Sequence, residues 1–337
     1  MTRALNFLGL LGLALLAVLL ILSLQSWAAT GFTLPTEFYT FVTIFLGIFI
    51  EAAPFLLLGT LASGFVEEFI DHEAVQRFMP RNPFMGALAG GMLGFVFPVC
   101  ECGVVPLTRR LFHKGMAPAA GIAFLLASPV LNPIVITSTY AAYGWGSILF
   151  WRIGLSLSIA VITGLVFAVQ QQPAELLRAA PRKSIGGAGL RPALARPSNA
   201  LIQRIQRSLE IAGDEFFEMG RYLIIGSLIA ALLQAVLPQS MLLALGSGPL
   251  YSVLVMMALA VLLSICSTVD AFVSLAFVGT FTSGSILSFL VFGPMVDIKS
   301  TLLYLQVFKR RTVFYMILLP FLMVLLASVF INLNLAI

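Results

Sequence analysis

The run Pro98-Val99-Cys100-Glu101-Cys102-Gly103 sits inside an otherwise apolar block, 84–108. It makes a poor continuous helix, because proline lacks a backbone donor and glycine is conformationally permissive. The block is long enough to cross a bilayer, whose core of about 30 Å takes roughly 20 apolar residues per helix. Non-helical backbone at that depth is tolerated only where it is buried in protein or lines a cavity. The run therefore reads as the tip of a re-entrant hairpin that enters the membrane and returns to its own side. That tip is a candidate site.

The rest of the chain supports a membrane setting. Of 337 residues, 60% are hydrophobic and only 10% charged, with a mean hydropathy of +1.05. Soluble domains are about a quarter charged, so this chain lacks the polar residues to cover their surfaces. Further apolar blocks lie near 4–24, 38–63, 116–141, 147–169, 216–237, 249–278, 284–307 and 313–335. The first could be a cleaved signal peptide, since Ser26-Trp27-Ala28 has a small-x-small pattern, but its length and the span that follows favour a retained helix. The net charge of +5 reads as membrane orientation rather than nucleic-acid binding, because the basic residues lie mainly between apolar blocks.

Short connections rich in Lys and Arg mark the cytoplasmic side. The linker 170–207 carries Arg178, Arg182, Lys183, Arg191, Arg196, Arg204 and Arg207. Arg109, Arg110 and Lys114, and the triplet Lys309-Arg310-Arg311, belong on the same side. With Arg3 also inside, these assignments conflict with nine simple spans. The conflict vanishes if 84–108 is the hairpin described above.

The chain also repeats itself. Gly59-Thr60-Leu61 recurs as Gly226-Ser227-Leu228 at an offset of 167, and Val99-Cys100-Glu101-Cys102 as Ile265-Cys266-Ser267-Thr268 at 166. Ser128-Pro129-Val130-Leu131-Asn132 matches Gly293-Pro294-Met295-Val296-Asp297 at 165. Orientation gives matched spans opposite directions. The expected fold is an all-α polytopic membrane protein: an inverted repeat of three spans plus one re-entrant hairpin in each half, after an extra N-terminal helix. The divisions are 1–30 for that helix, 31–169 for the first repeat, 170–207 for a basic cytoplasmic linker and 208–337 for the second repeat. Inverted repeats with broken helices at the midplane are a secondary-transporter architecture.

All three cysteines fall in the matched motifs, Cys100 and Cys102 in the first hairpin and Cys266 in the second. Thiolates are soft ligands for thiophilic metals and metalloids, so the three form a candidate substrate or metal site. Glu101 stands between two of them, and ionisable groups inside a membrane are functional by default. Asp270 occupies the second tip. Asp297 and Lys299 follow the expected Gly293-Pro294 break, either as an ion pair or as a proton-coupled switch. Asn132, between Pro129 and Pro133, sits where helix ends and freed carbonyls could face a substrate. Glu51 and Glu218 hold matching positions, either as relay groups or as hydrogen-bond partners of a hairpin. Arg152 reads as a snorkelling interface residue. His72 and His113 read as solvated loop residues.

Pro98-Val99-Cys100-Glu101-Cys102-Gly103-Val104-Val105-Pro106, Ser128-Pro129-Val130-Leu131-Asn132-Pro133 and Cys266-Ser267-Thr268-Val269-Asp270-Ala271-Phe272 together resemble the ArsP-type predicted permease family, from about residue 38 to the C-terminus. The resemblance implies a permease. Some members export trivalent organoarsenicals through paired cysteines, which Cys100 and Cys102 match. Those exporters carry a small polar residue where this chain has Glu101, and an anion there favours a cationic metal or proton coupling over a neutral arsenical. No nucleotide-binding motif is present and no cofactor is expected. The expectation is a proton-coupled efflux permease for a thiophilic solute in the inner or plasma membrane, with the N-terminus and linker cytoplasmic and homo-oligomerisation left open. The alternatives are a thiol-redox relay, which needs an externally reachable thiol, and a channel-like permease without proton coupling.

Overall fold

The computed structural model describes residues 36–80, 82–97, 99–169, 176–178, 201–236 and 248–334. The expected N-terminal helix, Pro98, most of the linker and residues 237–247 lie outside that set. In chain order the helices are α1 (Thr36–Phe69), α2 (His72–Phe78), α3 (Pro83–Met92), α4 (Glu101–His113), α5 (Pro118–Leu131), α6 (Pro133–Tyr143), α7 (Ser147–Phe167) and α8 (Leu201–Val236). There follow α9 (Pro249–Leu263), α10 (Asp270–Ser274), α11 (Ser283–Met295), α12 (Ile298–Val307) and α13 (Arg310–Asn334). Among the described residues, β pairing is limited to isolated bridges such as Leu177 with Phe308.

Six stretches are long and apolar enough to cross a membrane: Phe38–Phe69, Pro118–Tyr143, Ser147–Phe167, Leu201–Val236, Ser283–Val307 and Arg310–Asn334. Two of these are broken helices, α5 with α6 and α11 with α12. In these two, 83% and 78% of the apolar stretch is buried in protein, against 17–44% in the other four. The interrupted helices therefore form the centre, and the continuous ones present apolar faces outward. α5 and α11 touch each other and both touch α7, while α1 lies along α8. Shorter apolar helices, Pro83–Phe95 and Pro249–Leu263, occupy the first arms of the two expected hairpins.

The breaks have local causes. At the first, the Asn132 side chain accepts from Ile134 N–H at 2.9 Å, with Pro133 at the first helical position. Proline is suited to that position because its missing donor would be unsatisfied there anyway. At the second, Asp297 caps α12, accepting from Ser300 N–H at 2.6 Å. α11 runs through Pro294 and stops at Met295, so the interruption falls at Val296–Asp297, after the Gly293-Pro294 position expected from sequence. The capping side chain, rather than the proline, sets the boundary. α8 also starts earlier than the apolar block suggested, so residues 201–207 of the expected linker are helical. There Arg204 donates to the Glu68 carbonyl and stacks 4.7 Å over Phe69, which ties this polar start to the end of α1.

Candidate functional site

The first Cys-x-Cys motif is delivered by a close helix crossing. Residues 96–100 separate a 3-10 turn, Leu93–Phe95, from α4, with Cys100 in extended backbone at the N-cap and Glu101 opening the helix. α4 then crosses α1 glycine to glycine. A Cβ on Gly59 would come within 2.7 Å of the Gly103 carbonyl carbon, and one on Gly103 would lie 2.8 Å from the Phe55 carbonyl oxygen. The matched glycine of the second half, Gly226 on α8, is likewise tight: a Cβ there would lie 3.0 Å from Lys299 Cα on α12. Small residues allow such backbone approach in membrane helices.

The second motif lies where α9 ends. Ser264 adopts a left-handed conformation, φ 46 and ψ 41, which is rare for a residue with a side chain. Its hydroxyl donates to the Val261 carbonyl at 2.8 Å and accepts from Ile298 N–H at 3.3 Å. Gln234 of α8 donates to the Leu262 and Leu263 carbonyls at 3.1 and 3.0 Å. The interruption thus keeps its backbone groups satisfied, as hydrocarbon surroundings require. Cys266 lies just beyond. Its thiol and that of Cys102 both neighbour the thiol of Cys100. The three cysteines, 166 residues apart at the extremes of their numbering, form one buried cluster.

A charge cluster adjoins the thiols. Lys299 Nζ lies 3.6 Å from Glu101 Oε1 and 3.6 Å from Asp297 Oδ2. Asp297 also accepts from the Ser300 hydroxyl, and Tyr304 donates its hydroxyl to the Met295 carbonyl at 3.1 Å. Cys102 and Cys266 fall within the electrostatic surroundings of Lys299. Glu51, half-buried on α1, interacts with both Lys299 and Glu101. Glu101 Oε2, Ser128 Oγ and Ser267 Oγ are buried without a hydrogen-bond partner. Among the described residues no three His, Cys, Asp or Glu side chains stand ready to hold one metal ion. The cysteine trio read from sequence as a metal site is therefore not, as it stands, a preformed three-ligand set.

Several expected site residues have other partners. Arg152 does not snorkel. It is 1% exposed and binds Asp270 through two oxygens, at 3.0 and 2.7 Å, and Thr139 Oγ1 at 2.8 Å. Asp270 is thus neutralised by an arginine from the other half of the chain. The Tyr143 hydroxyl and Ser274 Oγ meet at 2.7 Å beside this pair. Asn132 serves as the cap of α6, Pro129 lies inside α5, and Pro133 starts α6. Glu218 stands apart from the thiols: it meets Arg109 at 3.3 Å and accepts from Gln306 at 2.9 Å. Sequence reading missed Glu215, which is buried, bonded to Ser63 and 3.7 Å from Arg110 Nε. Arg110 and Lys114 also meet Glu67, at 3.6 and 3.8 Å. This polar end further takes in Leu176–Arg178, paired with Val307–Lys309.

A polytopic helical membrane protein, with buried thiols and charges gathered at interruptions of its helices, is the class this geometry defines. The chain matches, over residues 37–333, the family model ArsP_1, described as a predicted permease, and it belongs to that family of membrane permeases. It is 44% identical over 288 residues to the UPF0718 protein YcgR of Bacillus subtilis (strain 168), covering 85% of this chain and 94% of that protein. It is 35% identical over 288 residues to the "Putative two-component membrane permease complex subunit" of Streptococcus mutans, covering 82% and 90%. A shorter match, 26% over 112 residues, links it to the UPF0718 protein MJ0584 of Methanocaldococcus jannaschii, covering 33% and 29%. No solved structure matches.

Proposed function

We propose that this permease exports a thiophilic solute, a trivalent organoarsenical or a soft metal ion, that binds Cys100 and Cys102 with Cys266 as a third contact. The observation that carries this reading is the convergence of all three thiols, from both halves, at interruptions of membrane helices. Their burial, at 2%, 0% and 2% exposure, speaks against a redox relay, which needs a thiol that an external partner can reach.

The transport architecture is an inverted repeat. Support comes from the element order, in which α1, α3, α4, α5, α6 and α7 correspond to α8, α9, α10, α11, α12 and α13. Direction supports it too. The end rich in ion pairs holds the last turns of α1, α4 and α12 but the first turns of α8 and α13. The matched spans α1 and α8 therefore run in opposite senses on this reading. α3 and α4 leave from and return to this one end, as a re-entrant hairpin would. The basic residues assign this end to the cytoplasm, and with it the N-terminus and linker, in a plasma or inner membrane. The division into helix 1–30, repeats 31–169 and 208–337, and linker 170–207 belongs to the same reading.

Export is coupled to protons through carboxylates at the site. Glu101, Asp297 and Glu51 stand near the thiols and are the groups available for this, whereas Asp270 and Glu218 are held by arginines. The name of the Streptococcus mutans relative, a complex subunit, adds a partner subunit to this reading. In a host sensitive to arsenicals and soft metals, expression should raise resistance and lower accumulation. Cys100→Ser and Cys102→Ser should each return both to the empty-vector level. If neither change alters resistance or accumulation for any such solute, the thiol-ligand role is lost.

A further inference from the structure

The two halves cap their broken helices with the same geometry but different charge. In α6 the cap is neutral Asn132, and the residue matching Lys299 at the offset of 165 is Ile134. In α12 the cap is Asp297, with Lys299 two residues on. A neutral cap evidently suffices to start such a helix, so the added charges at Asp297 and Lys299 have a purpose beyond capping. The tips differ in the same way. Glu101 corresponds to Ser267 at the offset of 166. The charged tip of one half therefore meets the charged helix start of the other, and the neutral counterparts leave the pseudo-equivalent position without this cluster.

The cluster holds two carboxylates to one ammonium. Lys299 reaches each only at 3.6 Å, beyond normal N–H···O hydrogen-bond range, and the second oxygen of Glu101 is buried without a partner. By contrast, Arg152 and Asp270 meet at 2.7 and 3.0 Å with Thr139 as a further acceptor. That pair binds both carboxylate oxygens, with Arg152 Nε left without a partner. Lys299 meets its two carboxylates at longer range, with the soft donors Cys102 and Cys266 in its electrostatic surroundings.

Building on the permease reading, we infer that the Lys299 ammonium is a tethered stand-in for a cationic cargo, which displaces it from Glu101 and Asp297 while engaging the thiols. This assigns the cargo to the soft metal cations and makes Lys299 a specificity-determining residue, since a neutral arsenical would have no cause to compete with it. Oxygen ligands to a zinc-like ion sit at about 2.0–2.2 Å, well inside 3.6 Å. Exchange of ammonium for metal therefore draws the first tip toward the start of α12 and couples binding to movement between the halves.

The test is calorimetric titration of the purified full-length chain with Cd2+ and, separately, with the neutral thiol reagent phenylarsine oxide. Lys299→Gln should bind Cd2+ at least tenfold more tightly than wild type, Lys299→Arg should bind it as wild type does, and phenylarsine oxide should be indifferent to both. Unchanged or weaker Cd2+ binding by a folded Lys299→Gln chain overturns the inference. Should that variant not fold, Glu101→Gln decides: loss of Cd2+ affinity with retained phenylarsine oxide affinity supports the exchange, and equal effects on both overturn it. Absence of binding by either probe to wild type overturns the thiol site itself. Phenylarsine oxide binding with no Cd2+ response to Lys299 removes only the cation assignment.

Discussion

Arg152→Met is expected to destabilise the folded chain by about 3–5 kcal/mol, the range for breaking a buried ion pair by removing one partner. Asp270 would be left in the protein interior with its charge uncompensated, since both of its oxygens are bound by the guanidinium. Thr139 would lose its donor as well. The double variant Arg152→Met with Asp270→Asn should recover most of the loss, because it removes the stranded charge along with its partner. Thermal or denaturant unfolding of detergent-purified protein measures both. A double variant as unstable as the single one would show that packing, rather than charge, accounts for the loss.

The second large effect is steric. Gly59→Ala is expected to cost about 1–3 kcal/mol or more, the range for overpacking a close-packed contact. Its methyl would run into the backbone of Gly103, which cannot rotate aside as a flexible side chain would. α4 must then move away from α1, and Cys102 moves with it. Solute export should fall by more than the loss of folded protein explains. Gly47→Ala on the same helix meets nothing within 4 Å. It should gain the helix-propensity difference of roughly 0.8–1 kcal/mol between glycine and alanine. Export per folded molecule, compared across the two variants, checks the claim. Equal effects from the two alanines would separate the glycine crossing from the site.

Features governed by local sequence were the legible ones. Apolar run length marked the spans, and the prolines around Asn132 marked the first interruption, while the second was expected at Gly293-Pro294 and falls a few residues later, at the Asp297 cap. The thiol cluster was readable because the same motif occurs twice at a nearly constant offset. What remained hidden was pairing between distant side chains. Nothing local links Arg152 to Asp270, 118 residues away, or Glu215 to Ser63, 152 residues away. Arg152 did carry a signal, since it lies inside the apolar run Ser147–Phe167, where an unpaired arginine is costly. Its distance from the helix start favoured the interface, and only tertiary placement of α10 supplied the carboxylate. The start of α8 was missed for a related reason: Arg204 and Glu215 find their partners on α1 and α4, which local sequence does not reveal.

Ser264 ties these elements together mechanically. Its hydroxyl joins the last residues of α9 to the first amide of α12, so two interruptions far apart in the chain share one pin. A swing of the segment bearing Cys266 must carry the start of α12 with it, and with that the lysine beside it. The Cys266 segment and the Lys299 end of α12 are therefore expected to move as one articulated lever.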